Sequence, residues 1–455
     1  MRDYSPKRRT ALVFTGSGTT GAYHAGALRA LDECGVKIDL VVGSGIGAVS
    51  AAYAAVGGGP RLYGPGGFWE GARRADFYRL RPTVRIALGL LSLSFAIFAL
   101  PVLLGLLLGV LFPLLLIADR VFPGVATRAL GLLWVAPEAL SGPYLAAQAV
   151  PVFALAMLAI VGAAALYLRD RRRFAESFES FLDPTPGLAR LRRGLWEIAR
   201  GAALSASPPS DAELSRRYVE LLSENLGEPG FREVLLRAAD LDRGAALSFA
   251  VRPDEDGEAT LARDILPVVD LRAPGHEALF FDAVATGLLC PMALPLRRVS
   301  FPRGAAHAGE IHRLTDASLV GGSGIAEAIA AGAEQVVVVT GVPEIPAPLA
   351  RRRGPLARVD AAVRALERQA AADVAEAGRT GRVDLWVIRP EARALGPVEL
   401  DGALDPVTEV RQTTDDLLEL GFRDAYRQFV GPVVGQAPIP EREEGRYRNT
   451  QPVGL

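Results

Sequence analysis

Short apolar blocks alternate with amphipathic stretches along most of this 455-residue chain. Ala11-Leu12-Val13-Phe14 and Ile38-Asp39-Leu40-Val41-Val42 predict buried strands, with others near 246–252 and 311–315. Segments 212–226, 229–238 and 356–376 predict helices, and an alanine-rich run follows each of the first two strands. Strands that alternate with helices predict an α/β domain of three layers, α/β/α, around a mostly parallel central sheet. Two stretches break this rhythm. Ile86 to Ala118 carries no charged residue, and neither does Ala139 to Leu168. A bilayer is crossed by about 20 apolar residues in a helix, so each run is long enough. Soluble helices of that length keep a polar face, which these lack.

Charge gives the runs a direction. Arg73, Arg74, Arg79, Arg81 and Arg85 precede the first, and Arg169, Arg171, Arg172 and Arg173 follow the second. Between them, residues 119–138 hold only Asp119, Arg120, Arg128 and Glu138. The excess of arginine on the outer flanks places both on the cytoplasmic side. The expectation is a membrane-spanning insertion over 73–173, a transmembrane helical hairpin of helices at about 86–118 and 142–168. Pro101 and Pro113 leave the first run open to a kinked helix or a re-entrant pair. The domain would then be split into 10–72 and 174–435, between a basic tail (1–9) and a disordered, proline- and charge-rich tail (436–455). Asp170 to Arg200 is a basic amphipathic stretch, either lying on anionic lipid or acting as a solvated linker. Arginine abundance with lysine only at 7 and 37 suits a bacterial coding sequence, hence a multi-pass protein of the bacterial inner (cytoplasmic) membrane.

A net charge of −1 argues against a nucleic-acid surface. The two cysteines, Cys34 and Cys290, offer no disulfide framework, and the four histidines show no metal-ligand spacing, so no metal or cofactor is expected. No signal-peptide pattern opens the chain.

Candidate chemistry lies at Val41-Val42-Gly43-Ser44-Gly45-Ile46-Gly47-Ala48. A strand, a sharp turn and a helix around Gly-x-Ser-x-Gly make a nucleophile elbow. Gly43 and Gly47 stand at the two small positions, but the nucleophile position is Gly45, which carries no oxygen. Ser44 is either a helix cap or a displaced nucleophile. As a nucleophile it would put β-branched Val42 and Ile46 where small residues are needed. Upstream, Gly16-Ser17-Gly18-Thr19-Thr20-Gly21 joins the first strand to the first helix and literally contains Gly-x-Gly-x-x-Gly. A dinucleotide site would want an acid at the end of the second strand, where this chain has Gly43-Ser44-Gly45. No Walker A pattern follows either, so no nucleotide partner is expected.

A glycine-rich first loop, a helix, a short strand and an immediate elbow together resemble the start of the patatin-like phospholipase family. The resemblance implies that residues 16–21 (Gly16, Ser17, Gly18, Thr19, Thr20, Gly21) are an oxyanion loop, with Thr20 where the family has arginine. It implies that the base of a Ser–Asp dyad is Asp316, in Asp316-Ala317-Ser318, where the family has Asp-Gly-Gly or Asp-Gly-Ala. Asp282–Pro291, a strand at Ala333–Val339, a late strand at Val383–Pro390 and a closing helix at Leu420–Ala425 also look like family segments. In the normal mechanism the aspartate takes the serine proton and loop amides stabilise the oxyanion.

With nucleophile, loop arginine and motif glycine all replaced, the expectation is a membrane-anchored lipid acyl hydrolase fold with impaired or lost catalysis. Such a protein would bind membrane lipid, an acyl chain or a protein partner. The alternatives are an active hydrolase using Ser44 or a water activated by Asp316, and a dinucleotide-binding protein. If the frame is intact, Gly45→Ser would place an Oγ near Asp316 and restore some esterase activity.

Overall fold

The computed structural model describes residues 4–82, 84–86, 89 and 92, scattered positions from 103 to 124, 182–201, 207–253, 268–302, 308–344, 355–393, 395–404 and 409–435. The chain divides into two units, Met1–Arg79 with Leu182–Leu455, and Leu80–Phe181. The first is built on a nine-stranded sheet. In chain order its main elements begin with β1 (Thr10–Gly16), α1 (Thr20–Glu33), β2 (Leu40–Gly45) and α2 (Gly47–Ala54). After the insertion come α3 (Thr185–Ala199), α4 (Asp211–Glu224), β3 (Glu233–Asp240), β4 (Ala245–Val251), β5 (Val268–Asp270) and α5 (Phe280–Thr286). They continue with β6 (Arg297–Ser300), β7 (Ile311–Asp316), α6 (Ile325–Ala330), β8 (Gln335–Thr340), α7 (Pro355–Thr380), β9 (Asp384–Ile388) and α8 (Thr414–Ala425).

The strands run in the order β9-β8-β1-β2-β3-β4-β5, with β7 paired to β3 and β6 to β7. Neighbours from β9 through β3 are parallel, as are β4 and β5. The contacts β3–β4, β3–β7 and β6–β7 are antiparallel. Helices cover both faces of the parallel part, so its strands are apolar without alternation: β1, β2 and β8 are buried throughout. On one face Val13, Val42 and Val338 pack with Ile325 and Ala328 of α6 and Val374 of α7. On the other, Phe14 meets His24 of α1 with ring centroids 5.0 Å apart. The Tyr23 hydroxyl donates to Asp424 Oδ2 at 3.0 Å, which ties α8 to α1. The three-layer α/β fold with a mostly parallel sheet is therefore the one expected.

Two expectations change. Residues 233–240, overlapping the helix predicted at 229–238, form β3, buried along its whole length. The run Val234-Leu235-Leu236 fits either period, and only burial on both faces decides for a strand. In the amphipathic stretch Asp170–Arg200, the described part forms α3, which buries Leu191, Leu195 and Trp196 and pairs Arg192 with Asp211 at 2.6 Å. That part belongs to the packed domain, where Arg190 and Arg192 make ion pairs with Asp76 and Asp211. The described part of the basic tail is likewise tied down. Arg9 pairs with Glu233 at 2.5 Å and Arg8 with Asp384.

The hairpin predicted at 86–118 and 142–168 falls mostly outside the described residues, and the tail 436–455 wholly so. Among the described residues no helix is long and apolar enough to cross a membrane. The two ends of the insertion lie together, since Arg79 Nε donates to Asp183 Oδ2 at 3.0 Å.

Candidate active site

The sheet brings Gly45 to Asp316. One edge of β3 pairs with β4 along its length, and β2 and β7 share the other edge. Ser44 stands opposite Arg237, and from Ala238 onward the partner is β7, with Asp316 opposite Ala238. Because β2 runs parallel to β3 and β7 antiparallel, their carboxyl ends meet head-on. Across β2, Gly16 at the end of β1 is in register with Gly45. Loop, elbow and aspartate thus converge on one point.

The backbone at Gly45 is left-handed, with φ +64°, and α2 begins two residues later. That is the turn an elbow requires, and glycine adopts it without a steric penalty. Gly43 and Gly47 are held by close approach, one against Ala48 and the other against the Phe14 carbonyl. A Cβ at position 45 would press on the Gly16 carbonyl oxygen and stand 2.8 and 3.1 Å from the two carboxylate oxygens of Asp316. The aspartate occupies the space a nucleophile's side chain would enter. Gly45→Ser therefore has the expected neighbour but no room, so simple restoration of a dyad is not expected from this geometry.

Asp316 is wholly buried. Its Oδ1 accepts from the Ser318 amide at 2.7 Å and its Oδ2 from the Ser17 hydroxyl at 2.9 Å. Burial pushes its pKa up to about 7 despite these bonds, which favour the charged form. Ser44 has a different surrounding. Its Oγ accepts from Arg237 Nη1 at 3.2 Å, and Arg237 in turn pairs with Glu327 at 2.5 Å. A guanidinium cannot take a proton, so this partner does not make Ser44 a nucleophile.

The amides of the 16–21 loop donate inward. The Ser17 amide bonds Glu367 Oε1 at 2.9 Å, and the Thr19 amide bonds the Pro397 carbonyl at 3.0 Å. The amides of Thr20 and Gly21 bond Ser17 and Gly18 carbonyls at 3.2 and 3.1 Å, and the Ile46 amide bonds the Gly16 carbonyl at 2.8 Å. Five amides of the loop and elbow therefore already have protein acceptors. The spaces over the loop glycines are filled as well, Gly18 by Pro397 and Gly21 by the Trp69 ring, which leaves no room for a pyrophosphate. Among the described residues no three His, Cys, Asp or Glu side chains are grouped as a metal site. His24 lies in the core between Ser50 and the Thr15 carbonyl, its pKa lowered by burial to about 3.

Sequence reasoning brought together Gly45, Asp316 and residues 16–21, and missed Glu367, Arg393 and Pro397. The missed residues follow the elbow by more than 300 positions and carry no motif. The one available signal was Ser17 itself, a hydroxyl inside a glycine-rich loop.

The raised pKa of Asp316 has a stability consequence of definite sign. Between pH 4 and pH 7 the folded state keeps a proton that the unfolded chain has released. Stability should therefore fall as pH rises through this window, by up to about 1.4 kcal/mol per pH unit. Asp316→Asn carries no titrating group, so its melting temperature should drop less between pH 5 and pH 8 than that of the wild type. Equal drops in the two proteins would contradict the assignment.

The patatin family, described as patatin-like phospholipase, matches residues 12–105, which hold the loop, α1 and the elbow. No curated protein matches the chain. Among solved structures, VipD from Legionella pneumophila is 11% identical, with 93% of this chain and 66% of that one covered. The chain thus spans just under two thirds of its length, and at a TM-score of 0.31 the likeness bears no weight. Over residues 12–105, through the first strands and the elbow, the chain is similar to the patatin-like phospholipase family.

Proposed function

We propose that this chain is a membrane-anchored protein of patatin-like fold that has lost acyl transfer and uses the former acyl site for binding a lipid or a protein partner. The observation that carries this reading is the placement of Asp316 in the space beside Gly45. Without an oxygen at position 45 no covalent acyl intermediate forms there, and an oxyanion loop by itself supplies only residual acceleration. Here the loop donors are also engaged. A water activated by Asp316 is disfavoured by the buried carboxyl, which holds its proton up to about pH 7.

The purified full-length chain should show negligible hydrolysis of a fluorogenic acyl ester and no mass increase with a fluorophosphonate. Labelling abolished by Ser44→Ala or by Ser17→Ala would overturn the reading and identify the serine that acts.

Membrane anchoring is supported by the length and flanking charge of the two apolar runs. Among the described helical positions, Leu103, Leu106, Leu107, Val110, Leu114 and Ile117 are each more than half exposed. Apolar side chains exposed to this extent are ones that water would not favour. The adjacent ends of the insertion at Arg79 and Asp183 suit a hairpin that leaves the domain and returns at one place. Reporter fusions at residues 60, 130 and 200 in a bacterial host should score inside, outside and inside the inner membrane. An inside score at 130, or release of the full chain by a carbonate wash, would refute the topology.

A further inference from the structure

We infer that Arg393 and the stretch Leu395–Leu400 form a latch that holds residues 16–21 shut, with the Glu367 carboxylate and the Pro397 carbonyl as the loop's built-in ligands. The stretch has no helix or strand of its own, yet Leu395, Gly396, Pro397, Val398 and Leu400 are buried. A buried irregular segment is tolerated only where its polar groups find partners, and here they do. The Leu395 amide donates to Gln412 Oε1 at 3.2 Å and the Gly396 amide to Glu399 Oε2 at 2.8 Å. The Tyr78 hydroxyl donates to the Val398 carbonyl.

The contacts that reach the loop are the specific ones. Arg393 Nη2 donates to Thr19 Oγ1 at 2.6 Å, and its Nη1 donates to Thr20 Oγ1 at 2.7 Å and to the Gly341 carbonyl at 3.2 Å. Thr19 completes the clasp from its own side. Its hydroxyl donates to the Gly396 carbonyl at 2.8 Å and its amide to the Pro397 carbonyl at 3.0 Å. Gly18 lies so close under Pro397 that a Cβ there would overlap its carbonyl. On the inner side Glu367 takes the Ser17 amide, and Arg393 is the cation that lowers the cost of burying that carboxylate. Two acceptors of this chain therefore hold the loop amides of Ser17 and Thr19 much as an anionic ligand would. Both lie outside the sheet, Glu367 on α7 and Pro397 in the irregular segment.

The functional meaning of the latch rests on reading residues 16–21 as a former oxyanion loop, but its existence does not. Hydrogen exchange by mass spectrometry on the full-length chain in detergent micelles separates the two. In the wild type, peptides carrying residues 17–21 and 395–400 should exchange slowly. Arg393→Met should speed both by at least tenfold and leave β1 and β8 protected. Because this variant strands a buried carboxylate, Arg393→Met with Glu367→Gln removes both charges and should open the same two peptides selectively. The latch is refuted if residues 17–21 stay as protected in both variants as in the wild type. It is equally refuted if β1 and β8 open together with the loop in both. Neither result depends on the outcome of fluorophosphonate labelling, so failure of the latch and failure of the proposed function are told apart.

Discussion

A buried carboxylate beside a residue with no side chain is the constraint on which the rest of this structure depends. Asp316 reaches that position because β2 and β7 divide one edge of β3 and meet end to end. Gly45 permits it because the left-handed turn brings no Cβ into the gap. Once there, the carboxylate is cut off from water, its pKa rises to about 7, and the Ser17 hydroxyl and Ser318 amide become its solvation shell. Ser17 in turn fixes the loop, whose amides turn to Glu367 and Pro397. A frame that in the patatin-like family would serve a nucleophile is here closed on itself.

Much of this was legible in the chain. Ala11–Phe14 and Ile38–Val42 announced the central strands because parallel strands buried on both faces need uninterrupted apolar runs. The spacing of Gly43, Gly45 and Gly47 announced the elbow because only small residues fit a turn packed between strand and helix. Asp316 was found through its position after a short strand, by resemblance and not by geometry. The helix predicted over 229–238 failed for a physical reason. Val234-Leu235-Leu236 next to a buried Arg237 has no distinctive period, and the pairing that fixes it as a strand comes from β2, β4 and β7, distant in sequence.

The closure of the loop was not legible. Glu367 sits on α7 and Arg393 in an irregular segment, and each reads in isolation as an ordinary surface charge of an amphipathic protein. What buries them is their meeting with Thr19 and Thr20, a contact between segments more than 340 residues apart. Long-range pairing of this kind leaves no local pattern. It also changes how the three motif departures are understood. Two of them, Gly45 and Thr20, meet in one packed cluster: Thr20 and Ser17 both bond Glu367, and Ser17 bonds the Asp316 carboxyl that fills the space beside Gly45.

The central claim is that Gly45 is held by the space Asp316 and the Gly16 carbonyl occupy, over and above its turn. Gly45 and Gly35 have nearly the same φ, +64° and +61°, but a Cβ at Gly35 would meet nothing within 4 Å. Replacing each by alanine therefore imposes a similar left-handed penalty and differs in crowding alone. Denaturation of the two full-length variants is the direct measurement. Gly45→Ala should lose about 2 kcal/mol more stability than Gly35→Ala, in line with the usual cost of overpacking a core. Equal losses would mean that the space beside Gly45 is open and that the site is not closed by its own aspartate.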